Sequence, residues 1–275
     1  MSQSYYYLQL KSHDLVVPYS QKTRRIRVLL PKQYEADINK SYPVVYLHDG
    51  QNVFYSRESY SGHSWKMIHA IKKNPDLAKM IVVGIDNDGH ERMNEYSAWK
   101  YGSGHHLHHK NLGGKGSDYA DFIMGTVKPF IDSQYRTKAD KAHTAMIGSS
   151  LGANITQFMG VEFQEKIGGL GIFSSANFLT REPFNRLIGK TQLDPDQRIF
   201  IQVGTQEADE TDQELYHGNV KQAYMDESLL YFRQLLQAGI PLAHIDFHLV
   251  ADAEHKEEVW AHFLPSCLYF LSQDW

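Results

Sequence analysis

Gly148-Ser149-Ser150-Leu151-Gly152 forms a G-x-S-x-G pentapeptide, the arrangement that lifts a serine hydroxyl onto an exposed turn for attack on an acyl carbon. Its context suits that chemistry. The preceding His143-Thr-Ala-Met-Ile147 reads as a short buried strand, and Leu151, Ile155, Phe158 and Met159 then recur at helical spacing. A serine between them sits at the tip of a sharp, strained turn, and only small neighbours such as Gly148, Gly152 and Ala153 let strand and helix pack so closely. The helix aims its positive end at the reacting carbonyl, so the Leu151 N–H is a candidate oxyanion donor. Ser150 is the candidate nucleophile; the competing reading is a Gly-rich turn carrying an inert serine.

A serine alcohol is a poor nucleophile at neutral pH and needs a histidine to take its proton, usually with an acid orienting that histidine. After an elbow of this type the chain order is serine, acid, histidine, each on a loop at the carboxyl end of a later strand. The segment Arg198–Val203 reads as a buried strand and runs into Gly204-Thr205-Gln206-Glu207, with Asp209, Glu210 and Asp212 close behind. Glu207 is the first-choice acid, with Asp209 and Asp212 as alternatives. Ile245–Val250 alternates like a further strand and leads to Ala253-Glu254-His255 before a helical segment. His255 is therefore the candidate base. His248 falls mid-strand, and His244 lies at the wrong end of the sheet for catalysis.

These residues resemble the putative esterase family of α/β hydrolases, which includes esterase D, feruloyl esterases and enterobactin esterases. The likeness extends over most of the chain. It rests on Tyr42-Pro-Val-Val-Tyr-Leu-His-Asp-Gly-Gln51, Gly113-Gly-Lys-Gly116, Tyr135-Arg-Thr137, the elbow, and His255 with Trp260, and is closest to the bacterial predicted-hydrolase branch. The resemblance implies an α/β-hydrolase fold. It also implies that the turn after the Pro-Val-Val-Tyr-Leu strand supplies a second oxyanion N–H, at Gln51 or the adjacent Gly50, and that the acid two residues after a Gly-Thr pair is Glu207. Many relatives carry aspartate there. The implied activity is a serine carboxylesterase for small acyl esters; a thioesterase of the S-formylglutathione hydrolase kind, a feruloyl or siderophore esterase, and a non-catalytic binding protein on the same scaffold are the alternatives.

The elements that must position these groups alternate between strand-like and helix-like, as in a mostly parallel sheet covered on both faces. Tyr5–Leu10 and Arg24–Leu30 read as an antiparallel pair at one edge. Val44–Leu47, Met80–Ile85, Ala145–Ile147 and Gly169–Phe173 read as buried strands, and with the two later ones they bring the sheet to about eight. Helices are expected around Trp65–Ile71, Asp118–Ile131 with Ser117 as N-cap, Leu151–Met159, Glu227–Leu236 and Glu257–Leu271. With 275 residues, 42% of them hydrophobic, and no linker, one domain over residues 1–275 is expected.

A formal charge of −4 offers no basic field for nucleic acid or an anionic membrane. No apolar run is long enough to span a bilayer, and the N-terminus has no basic and apolar leader, so a cytoplasmic protein is expected. The single cysteine, Cys267, lies in an apolar stretch and reads as a buried structural thiol. The chemistry requires no cofactor. His105, His106, His108 and His109 lack companion ligands at motif spacing, so no metal is expected, and Gly113–Ser117 lacks the phosphate-loop pattern. The expected partner is a small-molecule ester, with a homo-oligomer open. Trp65, Trp99 and Tyr101 are the candidate substrate contacts, the last two on a long polar loop after a strand's carboxyl end.

Overall fold

The computed structural model describes residues 8–101, 111–208, 216 and 218–275. Eight strands form one sheet: β1 (Gln9–Val16), β2 (Thr23–Leu30), β3 (Val44–His48), β4 (Ile81–Ile85), β5 (Thr144–Ser149), β6 (Gly169–Phe173), β7 (Arg198–Gln206) and β8 (Ile245–Glu254). Their spatial order is β1-β2-β4-β3-β5-β6-β7-β8, with β1 and β2 antiparallel to their neighbours and the rest parallel. Every residue of β3, β4, β5 and β6 is buried, because helices cover both faces and leave no solvent side to require alternation. The fold is that of an α/β hydrolase. β4 lies on one side of β3 and β5 on the other, so the connection reverses between β3 and β5. A crevice outside the carboxyl ends of the strands opens at such a reversal, and these two strands carry the candidate oxyanion loop and the candidate nucleophile.

Among the described residues the helices are α1 (Met67–Lys73), α2 (Arg92–Glu95), α3 (Gly116–Phe122), α4 (Lys128–Gln134), α5 (Leu151–Glu162), α6 (Arg181–Lys190), α7 (Val220–Gln237) and α8 (Glu257–Leu271). On α8, Trp260, Leu264, Cys267, Leu268 and Leu271 recur at helical spacing and are buried. Each such side chain contributes roughly 1.5–3 kcal/mol when removed from water. Cys267 is the buried thiol its sequence context implies, and burial pushes it well above the usual thiol range.

Three expectations shift. The first edge strand runs over Gln9–Val16 rather than Tyr5–Leu10, pairing Gln9 with Leu30 and Val16 with Thr23; Tyr5 to Tyr7 lie outside the described residues. As an outer strand it is exposed or half-buried throughout, so its apolar alternation is too weak to mark its limits. The helix expected over Asp118–Ile131 is α3 and α4 joined by a π-turn at Ile123–Val127. Pro129 has no N–H to continue the regular ladder, and the wider turn absorbs the break. Ser117 is not the N-cap, since α3 starts one residue earlier, where the Gly116 N–H donates to the Ser97 carbonyl at 2.9 Å.

Candidate active site

β5 ends at Ser149 and α5 begins at Leu151, so Ser150 alone makes the turn, at φ 57° and ψ −126°. A non-glycine residue held there is strained, and the surrounding packing keeps it in place. A Cβ on Gly148 would lie 2.2 Å from the Gly152 carbonyl oxygen, which is why that position has no side chain. The Ser150 N–H donates to the Phe173 carbonyl at 2.9 Å, tying the elbow to β6, and its hydroxyl-bearing residue remains partly exposed. Leu151 opens a 12-residue helix, so its N–H lies among the first-turn donors that have no intrahelical acceptor.

The candidate acid and base meet because of strand register. β7 and β8 are parallel neighbours, and after an irregularity between Gly204 and Gln206 the last pair is Gln206 with Glu254. The next residue on each strand is Glu207 and His255, which therefore leave the sheet side by side. A Cβ on Gly204 would fall 2.1 Å from the Ala253 carbonyl oxygen, so the irregularity needs glycine. His255 Nδ1 and Glu207 Oε2 are 2.6 Å apart, with the side chains 5% and 0% exposed. The other carboxylate oxygen of Glu207 accepts from the Gly204 N–H and the Ser174 hydroxyl, both at 2.6 Å. Ser174 Oγ in turn accepts from Trp260 Nε1 at 2.9 Å. Tyr224 and Trp260 flank the imidazole, each with ring centroids at 4.9 Å. One carboxylate oxygen thus already holds two donors and the other is aimed at Nδ1, the ring nitrogen that donates to a carboxylate. Asp209 and Asp212 lie outside the described residues.

Gln51 belongs to a single 3₁₀ turn, Gly50–Asn52, immediately after β3. Its side-chain carbonyl accepts from the Asn87 N–H at 3.1 Å. Two contacts hold the following loop near the start of α8: Asn52 Nδ2 donates to Glu257 at 3.4 Å, and Ser61 Oγ to the same carboxylate at 2.8 Å.

The aromatic candidates divide. Trp65, 3% exposed, packs against Phe173 and Trp260, and Tyr101, 2% exposed, donates its hydroxyl to the Met93 carbonyl at 3.0 Å. Both are core residues as they stand. Trp99 is half-buried and meets Phe158 and Phe184 edge-on. Gly113–Gly116 is a turn that folds back on Ser97 and Lys100, through Gly114 N–H and Gly116 N–H to the Ser97 carbonyl. The four histidines 105, 106, 108 and 109 fall outside the described residues. Sequence reasoning missed Ser174 and Tyr224; a serine just past the carboxyl end of β6 was the available signal for the first.

At the end of β3, His48 is buried with Nδ1 2.9 Å from the Tyr119 hydroxyl. Burial holds its imidazole down at about 4, with Asp49 opposing and Arg92 assisting. The ordinary value of 6.5 applies to the unfolded chain, which therefore binds the proton more tightly. The stability from keeping His48 neutral is complete above pH 6.5 and is lost as pH falls from 6.5 towards 4. His48→Asn, measured by urea unfolding at pH 7 and pH 4.5, should close roughly 2–3 kcal/mol of its deficit against wild type at the lower pH. A pH-independent deficit would contradict a buried neutral imidazole.

Residues 18–270 match the model of a family described as "Putative esterase". The chain belongs to this family. It is a hydrolase of the esterase type. It is 25% identical to the uncharacterized protein YbbA of Bacillus subtilis (strain 168) over 190 residues, which are 68% of this chain and 70% of that one. Its fold is similar to that of an IroE-like serine hydrolase from Shewanella oneidensis, with a TM-score of 0.74 and 19% identity over 97% of this chain and 81% of the other. A ferulic acid esterase superposes with a TM-score of 0.70 at 17% identity, over 98% of this chain and 99% of that one. Among the described residues, no helix is long and apolar enough to cross a membrane.

Proposed function

We propose that this esterase is a serine carboxylesterase acting on small acyl esters, with Ser150, His255 and Glu207 as its triad. The observation carrying the reading is the 2.6 Å pairing of His255 Nδ1 with a buried Glu207 whose second oxygen is already occupied. His255 Nε2 accepts the Ser150 proton as Oγ bonds to the ester carbonyl carbon. The N–H groups of Gln51 and Leu151 receive the negative charge that develops on the carbonyl oxygen. The tetrahedral species collapses, the C–O bond to the alcohol breaks, and His255 returns its proton to the departing oxygen. Water, deprotonated by the same imidazole, then cleaves the acyl-enzyme and restores Ser150. The whole cycle uses side chains and backbone of this one chain, acting on a small-molecule ester.

Hydrolysis of p-nitrophenyl esters from acetate to octanoate, beside matched thioesters, tests the reading. The expected result is an oxyester preference with kcat/KM at least about tenfold higher for the short acyl groups than for octanoate, since each methylene misfit is worth roughly 1–3 kcal/mol. Turnover of thioesters alone would replace the carboxylesterase with a thioesterase. No turnover of either class would overturn the proposal.

A further inference from the structure

An ion pair between a buried aspartate and a half-buried arginine lies at the root of the loop bearing Gln51. Asp49 directly follows β3 in a left-handed conformation, φ 54° and ψ 49°, with its side chain 6% exposed. Arg92 grips it with two parallel bonds, Nε to Oδ1 and Nη2 to Oδ2, each 2.8 Å. Asn87 Nδ2 donates to the same Oδ1, and the Asp49 N–H donates to the Tyr96 hydroxyl at 3.0 Å. Arg92 is itself braced, because Glu95 on the same short helix makes a buried two-pronged pair with Arg24 of β2, at 3.0 and 2.8 Å. The pair also lies close to the elbow: a Cβ on Gly152, two residues past Ser150, would lie 3.3 Å from Asp49 Oδ2.

Position and charge have separate consequences. A left-handed aspartate fixes the direction in which the chain leaves β3, and so where the Gln51 N–H points. A bare carboxylate against the first turn of α5 would repel the negative charge developing on a reacting carbonyl in a site of low dielectric. We propose that the Asp49–Arg92 pair is a positioning device for acyl transfer: the left-handed backbone at Asp49, a conformation asparagine also tolerates, sets where the oxyanion loop leaves β3, while Arg92 cancels the carboxylate's charge beside the nucleophile elbow. Neither residue touches the reacting atoms; both act through Gln51 and the first turn of α5. The proposal rests on the assignment of Ser150 as nucleophile with Gln51 and Leu151 as oxyanion donors.

A fluorophosphonate probe separates the two levels, because its phosphoryl oxygen occupies the place of the oxyanion as Ser150 Oγ displaces fluoride. The maximal labelling rate and the half-saturating concentration are measured for wild type, R92M, D49N and D49N/R92M. R92M should lower the maximal rate by about 100-fold, the size of a lost oxyanion donor, and change half-saturation by less than about threefold. D49N/R92M, which leaves no lone buried charge, should label within about tenfold of wild type, a rescue that a purely structural role does not predict. If R92M does not fold, R92Q, which can still hydrogen-bond Asp49 but leaves its charge uncancelled, takes its place with the same expected loss and the same rescue by Asp49→Asn. An unchanged rate in R92M, a loss confined to half-saturation, or a double variant as slow as R92M would overturn the proposal. Wild type that resists the probe would instead overturn the nucleophile assignment, and the proposal with it.

Discussion

Replacing Ser150 with alanine is expected to cut ester turnover by about 10⁴–10⁶-fold, the range set by losing a triad nucleophile while substrate binding and oxyanion donors persist. The fold should survive. Alanine keeps the Cβ, so the backbone strain at φ 57° is unchanged. The Ser150 N–H to Phe173 and the Ala153 N–H to the Ser150 carbonyl are both retained, because they are backbone bonds. The melting temperature should therefore stay within about 3 °C of wild type. Parallel ester kinetics and thermal unfolding check both halves. Turnover within tenfold of wild type would remove Ser150 from the mechanism.

Glu207→Gln is expected to cost about 10³–10⁴-fold in kcat through the imidazole tautomer rather than through geometry. The Gly204 N–H and the Ser174 hydroxyl both donate to one oxygen of the native carboxylate. Only the carbonyl of a glutamine can accept those bonds, so its NH₂ must face His255 Nδ1. Nδ1 then becomes an acceptor, the proton moves to Nε2, and the ring can no longer take the serine proton. Kinetics on the ester that wild type cleaves fastest, with a denaturation curve as control, provide the check. A folded variant with near-normal kcat would show that the carboxylate is dispensable.

The legible parts of this site were those written locally in the chain. The elbow is a five-residue string, and Glu207 and His255 each follow a strand whose apolar pattern could be read. The irregularity that lets Gln206 meet Glu254 left no comparable mark, yet it sets Glu207 beside His255. The pairs Asp49–Arg92 and Arg24–Glu95 join residues 43 and 71 positions apart, a separation at which no periodicity reports contact. Trp65 and Tyr101 expose a different limit. An aromatic residue is large and apolar enough to serve a pocket or the core, and residue type alone does not say which. Helix α6 was passed over because only Phe184 and Ile188 of its ten residues are buried, and Pro183 at its start resembles a breaker.

The central claim is that Ser150 is the acyl-accepting nucleophile. Peptide mapping by mass spectrometry after treatment with a fluorophosphonate tests it most directly. One phosphonyl adduct per chain is predicted, on the peptide containing Ser150, with loss of esterase activity in proportion and no adduct in Ser150→Ala. Full inactivation with the adduct on another residue, or continued ester hydrolysis by protein modified at Ser150, would contradict the account.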